Sequence, residues 1–197
     1  MTKGTQDFTP DPRNENILIN VNGVLTPRAQ AVVSVFDSGF VVGDGVWEGI
    51  RLYDGKWAFL DQHIERLFEA AKAIDLEMHL TPDEVKKALL GTQKANRMTT
   101  DAHARLMVTR GVKVRPFQHP SLSRSGPTMV IIMEHSRPKI PRPIRLATVP
   151  HLRGLPMTQD PKLNSHSKLN CILACIAAEK AGADEALMLD VHGFVNT

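Results

Sequence analysis

The 197 residues are 42% hydrophobic and 23% charged, the balance of a soluble globular protein with room for one large domain, or one domain and part of another. A net charge of +3, spread among mixed acids and bases with no basic run interleaved with aromatics, gives nucleic-acid binding no support, whereas an anionic small ligand needs only one or two well-placed cations. No apolar run reaches membrane-spanning length and the polar N-terminus lacks the apolar centre of a signal peptide, so the expectation is a cytoplasmic protein with no membrane partner.

In chain order, residues 1–15 are polar and predict a mobile segment. Residues 17–21 predict a strand, and Asn22-Gly23 after it predicts a hairpin turn with both residues at positive φ. The β-branched run 30–36 (QAVVSVF) predicts a second strand. Residues 46–53 predict a third, Asp54-Gly55 a tight turn and 56–60 the returning strand, which together make an antiparallel meander. A helix follows over 62–75, with Asp61 as N-cap and Ile64, Leu67, Phe68, Ala71 and Ile74 on one face. Thr81 and Glu84 fit a capping box with Pro82 at the first helical position, which starts a second helix. Residues 104–110 and 127–133 predict strands joined by a loop rich in Pro, Ser and Arg. The Pro-rich stretch 135–143 (HSRPKIPRP) predicts an interdomain linker. A strand (144–149), an irregular loop (150–167), a helix (168–181) and a strand (185–190) follow. The chain thus reads as α/β, or α+β. It divides into the segment 1–15, a small domain over 16–134, the linker 135–143, and an incomplete second domain over 144–197. Cys171 and Cys175, four apart in a predicted helix, would point side by side, so buried small hydrophobes are expected rather than a disulfide or metal pair.

Four groups of residues could carry chemistry. GDGVWEGIR (43–51) is glycine-dense but lies between strands, so it suits close backbone packing or a tight turn rather than a phosphate loop, which needs a following helix. His63 and Arg66 lie three apart on the first long helix. They could clamp a phosphate, or form a solvated face paired with Glu65 or Glu69. Arg105, Arg110 and Arg115 have the forked geometry that suits a carboxylate, although each could equally be a surface residue. PKLNSHSKLN (161–170) leads into a helix; its Lys162 and Lys168 are candidate Schiff-base amines, or solvated lysines beside a helix start capped by Ser165 or Ser167. No metal site is expected, since the eight histidines and two cysteines show no HExxH or CxxC spacing.

Three stretches taken together resemble the class IV (fold type IV) aminotransferases, which include branched-chain and D-amino-acid aminotransferases and aminodeoxychorismate lyase. They are DSGFVVGDGVWEGIRLYDGKWAFLDQHIERL (37–67), ARLMVTRG (104–111) and LNCILACIAAEKAGADEALMLDVHGFV (169–195). The resemblance implies a small α/β domain, a linker, and a larger domain cut before the fold is complete. It also implies pyridoxal 5′-phosphate as cofactor and a homodimer. The implied reaction moves an amino group between a branched-chain-like amino acid and a 2-oxo acid. A lyase on the same scaffold and an inactive ligand-binding homologue are the alternatives. Arg66 in HIERL matches the arginine that binds the cofactor phosphate. Arg115 matches the carboxylate-binding arginine of the D-amino-acid enzymes, Arg105 matches an arginine at the same strand site in the branched-chain enzymes, and Trp47 falls at an aromatic pocket position; all three are implied substrate-binding residues. The anchoring lysine's place falls on Asn164, and that of the glutamate beside the pyridine nitrogen falls on Thr197. The amine is therefore expected from Lys168, one helical turn on, with Lys162 second.

Overall fold

A computed structural model describes residues 10–138 and 143–196. They form two compact units, the larger made of Asp11–Pro138 with Asn164–Ser167 and the smaller of 143–163 and 168–196. The larger unit is one six-stranded sheet backed by helices. In chain order it holds β1 (Leu18–Val21), β2 (Val24–Pro27), the short helix α1 (Ser38–Val42), β3 (Gly45–Tyr53), β4 (Lys56–Trp57), α2 (Leu60–Ala73), α3 (Pro82–Ala95), β5 (Ala102–Thr109) and β6 (Thr128–His135). The sheet order is β2-β1-β6-β5-β3-β4, with every pair antiparallel. Two hairpins thus form the two edges and the β5–β6 pair fills the middle, in place of a meander of successive neighbours.

Alternation along the strands decides the two faces. Val46, Ile50 and Leu52 of β3, Ala102, Ala104, Leu106 and Val108 of β5, and Met129, Ile131 and Met133 of β6 are all buried. α2 packs on β3, while α3 packs on β1 and β6. Between them they supply Ile64, Leu67, Ala70 and Ala71 from α2 and Val85 and Leu89 from α3. Each Leu or Ile so buried contributes about 1.5–3 kcal/mol relative to exposure.

The turn Asn22-Gly23 has φ of 52° and 86°, as its residue types require. Its partner strand is Val24–Pro27, directly after it. Residues 30–36, expected as a strand, carry no ladder; Gln30 ends the 3-10 turn Arg28–Gln30, and Val32, Val33, Val35 and Phe36 are exposed. Strand propensity without a partner to pair with does not make a strand. β4 is shorter than expected, and α2 begins at Leu60 after Phe59 in the left-handed region, with no side-chain cap from Asp61. The capping box at Thr81 and Glu84 is present in full. Of the expected mobile segment 1–15, residues 1–9 lie outside the described residues. Pro12–Asn16 is a 3-10 turn capped by Asp11, and Asn14 bonds the main chain of His135 in both directions. Of the expected linker, His135 ends β6, and 139–142 lie outside the described residues.

The smaller unit contains β7 (Leu146–Leu152), the short helix α4 (Pro156–Gln159), α5 (Leu169–Lys180) and β8 (Glu185–Leu189). β7 and β8 pair in parallel and α5 packs on both. Its core is small: Val149, Ala174 and Ala178, with Ala147, Ala177, Ala183, Ala186 and Met188 against it. Leu169, Ile172, Leu173 and Ile176 of α5 are exposed. Cys175, expected to be buried, is exposed as well, and Cys171 is half-buried; both are free thiols.

Candidate functional site

The inward face of β3 carries one charged residue, Glu48, set between Val46 and Ile50 and 1% exposed. A carboxylate in that place needs polar partners, because burying it alone is costly. Two come from α2. The Arg66 guanidinium grips Glu48 side-on, Nε to Oε1 at 2.7 Å and Nη2 to Oε2 at 2.6 Å. His63 Nδ1 lies 2.7 Å from the same Oε2. His63 and Arg66 are three residues apart, so one helix face delivers both. The hydrogen bonds to Glu48 push the Arg66 pKa above its ordinary value. The Arg66 side chain is nonetheless 51% exposed. Its Nη1, and one hydrogen of Nη2, point away from the carboxylate by the planar geometry of the fork. Those donors suit an anion such as a phosphate.

The other face of the same strands carries Trp47, Gly49 and Arg51 of β3 opposite Met107, Arg105 and His103 of β5. Gly49 pairs with Arg105, and its missing side chain leaves room for the His103 and Trp47 rings to approach the strand. A Cβ there would come 2.9 Å from His103 Nε2. The Arg105 guanidinium lies over the Trp47 indole, 3.8 Å from the ring centroid, a cation–π contact that orients it. Burial lowers the Arg105 pKa from its ordinary value. His103 is pushed down to about 4, by burial first and then by Arg51 and Arg105. It is therefore a neutral imidazole between two guanidinium groups at neutral pH.

The outer edge of β3 is covered by the Asn164–Ser167 segment. Trp47 N donates to Asn164 O at 2.8 Å, His166 N donates to Gly45 O at 2.9 Å, and the Trp47 indole N–H donates to Ser165 O at 3.1 Å. The glycine-dense run before β3 makes room for it. A Cβ on Gly45 would meet Val108 O at 2.7 Å and the His166 ring at 3.2 Å, and one on Gly43 would meet the Ser167 main chain at 3.3 Å. Gly43, moreover, sits at φ 70°, where a Cβ is strained. His166 is largely buried, which lowers its pKa, and its Nε2 has no partner among the described residues.

The structure therefore brings together Trp47, Arg105 and Asn164, all expected from sequence, and ties Arg66 to Glu48 on the opposite face of β3. Arg115 lies on the loop after β5, exposed, 5.3 Å from the Phe117 ring centroid. Arg110 is committed to structure: it chelates Asp44 at 2.7 Å and 3.1 Å and donates to the carbonyls of Ile74 and Asp75. Lys162 lies in a turn where its N–H meets the Asp160 carboxylate, and Lys168 is the N-cap residue of α5; both belong to the smaller unit. Thr197 lies outside the described residues. Sequence reasoning passed over Glu48 and His103. An acidic residue at an inward position of an alternating strand was the available signal for the first.

Comparison with known proteins places these segments. The family described as Amino-transferase class IV matches residues 45–196. The branched-chain-amino-acid aminotransferase-like protein 2 of Arabidopsis thaliana is 39% identical over 189 residues, which cover 95% of this chain and 34% of that protein. A putative branched-chain-amino-acid aminotransferase of Methanocaldococcus jannaschii is 40% identical over 179 residues, covering 90% and 61%. Among solved structures, a T.th. branched-chain amino acid aminotransferase complexed with N-(5′-phosphopyridoxyl)-L-glutamate superposes with a TM-score of 0.81 at 26% identity, covering 91% of this chain and 60% of that one. The chain thus spans between a third and three-fifths of these relatives' lengths. With β3, α2, β5 and the 164–189 segment all inside the matched region, the chain belongs to the class IV aminotransferase family.

Proposed function

We propose that this chain carries part of a pyridoxal-phosphate site that moves an amino group between a branched-chain-like amino acid and a 2-oxo acid, in a homodimeric cytoplasmic protein. The observation that carries this reading is Arg105 stacked on Trp47, on the face of β3 where Gly49 has no side chain. That surface offers an apolar wall for an aliphatic side chain beside a forked cation for a carboxylate. Arg115, on the loop beyond, is a second candidate for the carboxylate. Arg66 keeps donors that fit the cofactor phosphate. The T.th. relative, crystallised with a phosphopyridoxyl amino acid, supports the same chemistry. When bound, the cofactor supplies the aldehyde and the electron-withdrawing ring on which an amino group is exchanged. The chain's own contribution is to bind and orient the amino acid, and to supply an amine that holds the cofactor and moves a proton. Asn164 offers no amine, and its main chain is fixed to Trp47. The proposed amine is Lys168, with Lys162 second, while Asn164 and Thr197 are proposed to lie near the ring.

Asn164 also supports a second reading, in which the protein binds the cofactor and amino acid without transferring the amino group. One experiment separates the two. The protein is incubated with pyridoxal phosphate, its absorbance recorded, and the sample reduced with borohydride and mapped by peptide mass. The transfer reading expects a yellow protein with a pyridoxyl adduct on Lys168. An adduct on Lys162 moves the amine there. Bound cofactor with no lysine adduct favours the second reading, and a colourless protein that retains no cofactor overturns both.

A further inference from the structure

We propose that Glu48 is a positioning residue that aims Arg66 at an anionic phosphate; the inference rests on the reading of Arg66 as a phosphate-binding group. Glu48 is almost wholly buried under β3, yet it commits both carboxylate oxygens to one guanidinium and one imidazole. Its Oε1 takes Arg66 Nε and its Oε2 takes Arg66 Nη2, at 2.7 and 2.6 Å. That side-on fork occupies Nε and one hydrogen of Nη2 and leaves Nη1 and the other Nη2 hydrogen, at the end of the guanidinium, outside the grip. His63 Nδ1, 2.7 Å from Oε2, fixes the carboxylate from the neighbouring helical position. The result is a long side chain with its torsions held and one edge presented, although half of its surface is exposed. An unheld arginine loses several rotamers on binding an anion; one already gripped by a buried carboxylate has lost them in advance.

A rival reading has the opposite sign. A carboxylate beside a guanidinium also neutralises it, and a competing anion weakens phosphate binding. The geometry favours positioning, because Glu48 occupies the Nε side of the fork and leaves the Nη1 end outside the grip. The two readings predict opposite changes, so binding of pyridoxamine 5′-phosphate and of pyridoxamine, which lacks the phosphate, is measured on the full chain by fluorescence titration. The wild type should prefer the phosphorylated form. E48Q should weaken pyridoxamine 5′-phosphate binding about tenfold, the scale of losing one charge-assisted hydrogen bond, and leave pyridoxamine within about twofold. In an R66A background E48Q should have no further effect, because its action runs through Arg66. If E48Q does not fold, R66K gives the same test. Lysine keeps the charge but cannot be gripped side-on, so it should lose the preference for the phosphorylated form. Unchanged or tighter phosphate binding in E48Q, or wild-type preference in R66K, overturns the positioning role while leaving Arg66 as the phosphate group. A wild type that does not distinguish the two ligands overturns the reading of Arg66, and this inference with it.

Discussion

At the residue scale, the open face of β3 and β5 sets a pH limit. His103 is held neutral by burial and by Arg51 and Arg105, its pKa lowered from 6.5 to about 4. The unfolded chain takes up a proton near pH 6.5 that the folded chain refuses until about pH 4. The stabilising contribution is therefore complete above pH 6.5 and is lost as the pH falls through that interval. Discounted for partial exposure, the loss is about 1–2 kcal/mol. H103Q cannot titrate, so its thermal midpoint should fall less between about pH 7 and about pH 4.5 than that of the wild type. Parallel curves for the two proteins would show that His103 does not cause the acid sensitivity. Sequence made Trp47, Arg66 and Arg105 legible because their residue types suit aromatic stacking and anion recognition. It paired Arg66 with its helix neighbours and overlooked Glu48, because the pairing crosses from helix to strand. Only the register of α2 on β3 brings those side chains within hydrogen-bond distance.

At the element scale, local signals that carry their own hydrogen bonds were readable. The Thr81–Glu84 box, the Asn22-Gly23 turn and the helix–strand alternation from 144 onward all appear, to within a few residues. What failed depended on a partner. Residues 30–36 have the composition of a strand, but the turn before them hands pairing to Val24–Pro27, and β1's other edge is taken by β6. The order β2-β1-β6-β5-β3-β4 is a long-range property that a scan of neighbouring residues does not contain. The capping box can be weighed directly. In T81A, α3 loses the side-chain oxygen that accepts from Glu84 N, and Glu84 loses one of its two contacts to Thr81. The expected cost is about 1 kcal/mol in denaturant unfolding, with the slope unchanged. A midpoint identical to wild type would mean that the N-terminus of α3 is frayed in solution.

At the scale of the whole molecule, two surfaces lack cover among the described residues: Val32, Val33, Val35, Phe36 and Phe40 on the larger unit, and Leu169, Ile172, Leu173 and Ile176 on the smaller. Large apolar side chains left exposed in such groups suit an interaction surface. The full protein is expected to sediment as a dimer, and a monomeric mass at micromolar concentration would count against this. The smaller unit has three buried residues in its core cluster. The Asn164–Ser167 segment has a different consequence. β4 pairs only with Leu52 and Tyr53, and the Ala58 N–H donates to the Arg51 carbonyl, so at Gly45–Trp47 the outer rim of β3 is closed by this one short piece of chain. Both flanks of that piece belong to the smaller unit. A single proteolytic nick between 150 and 163 would loosen it and bare an unpaired row of amide and carbonyl groups, the template on which fibrils and domain-swapped aggregates grow. The same short segment that frames Trp47 therefore also occupies strand-edge groups that would otherwise be open to another strand.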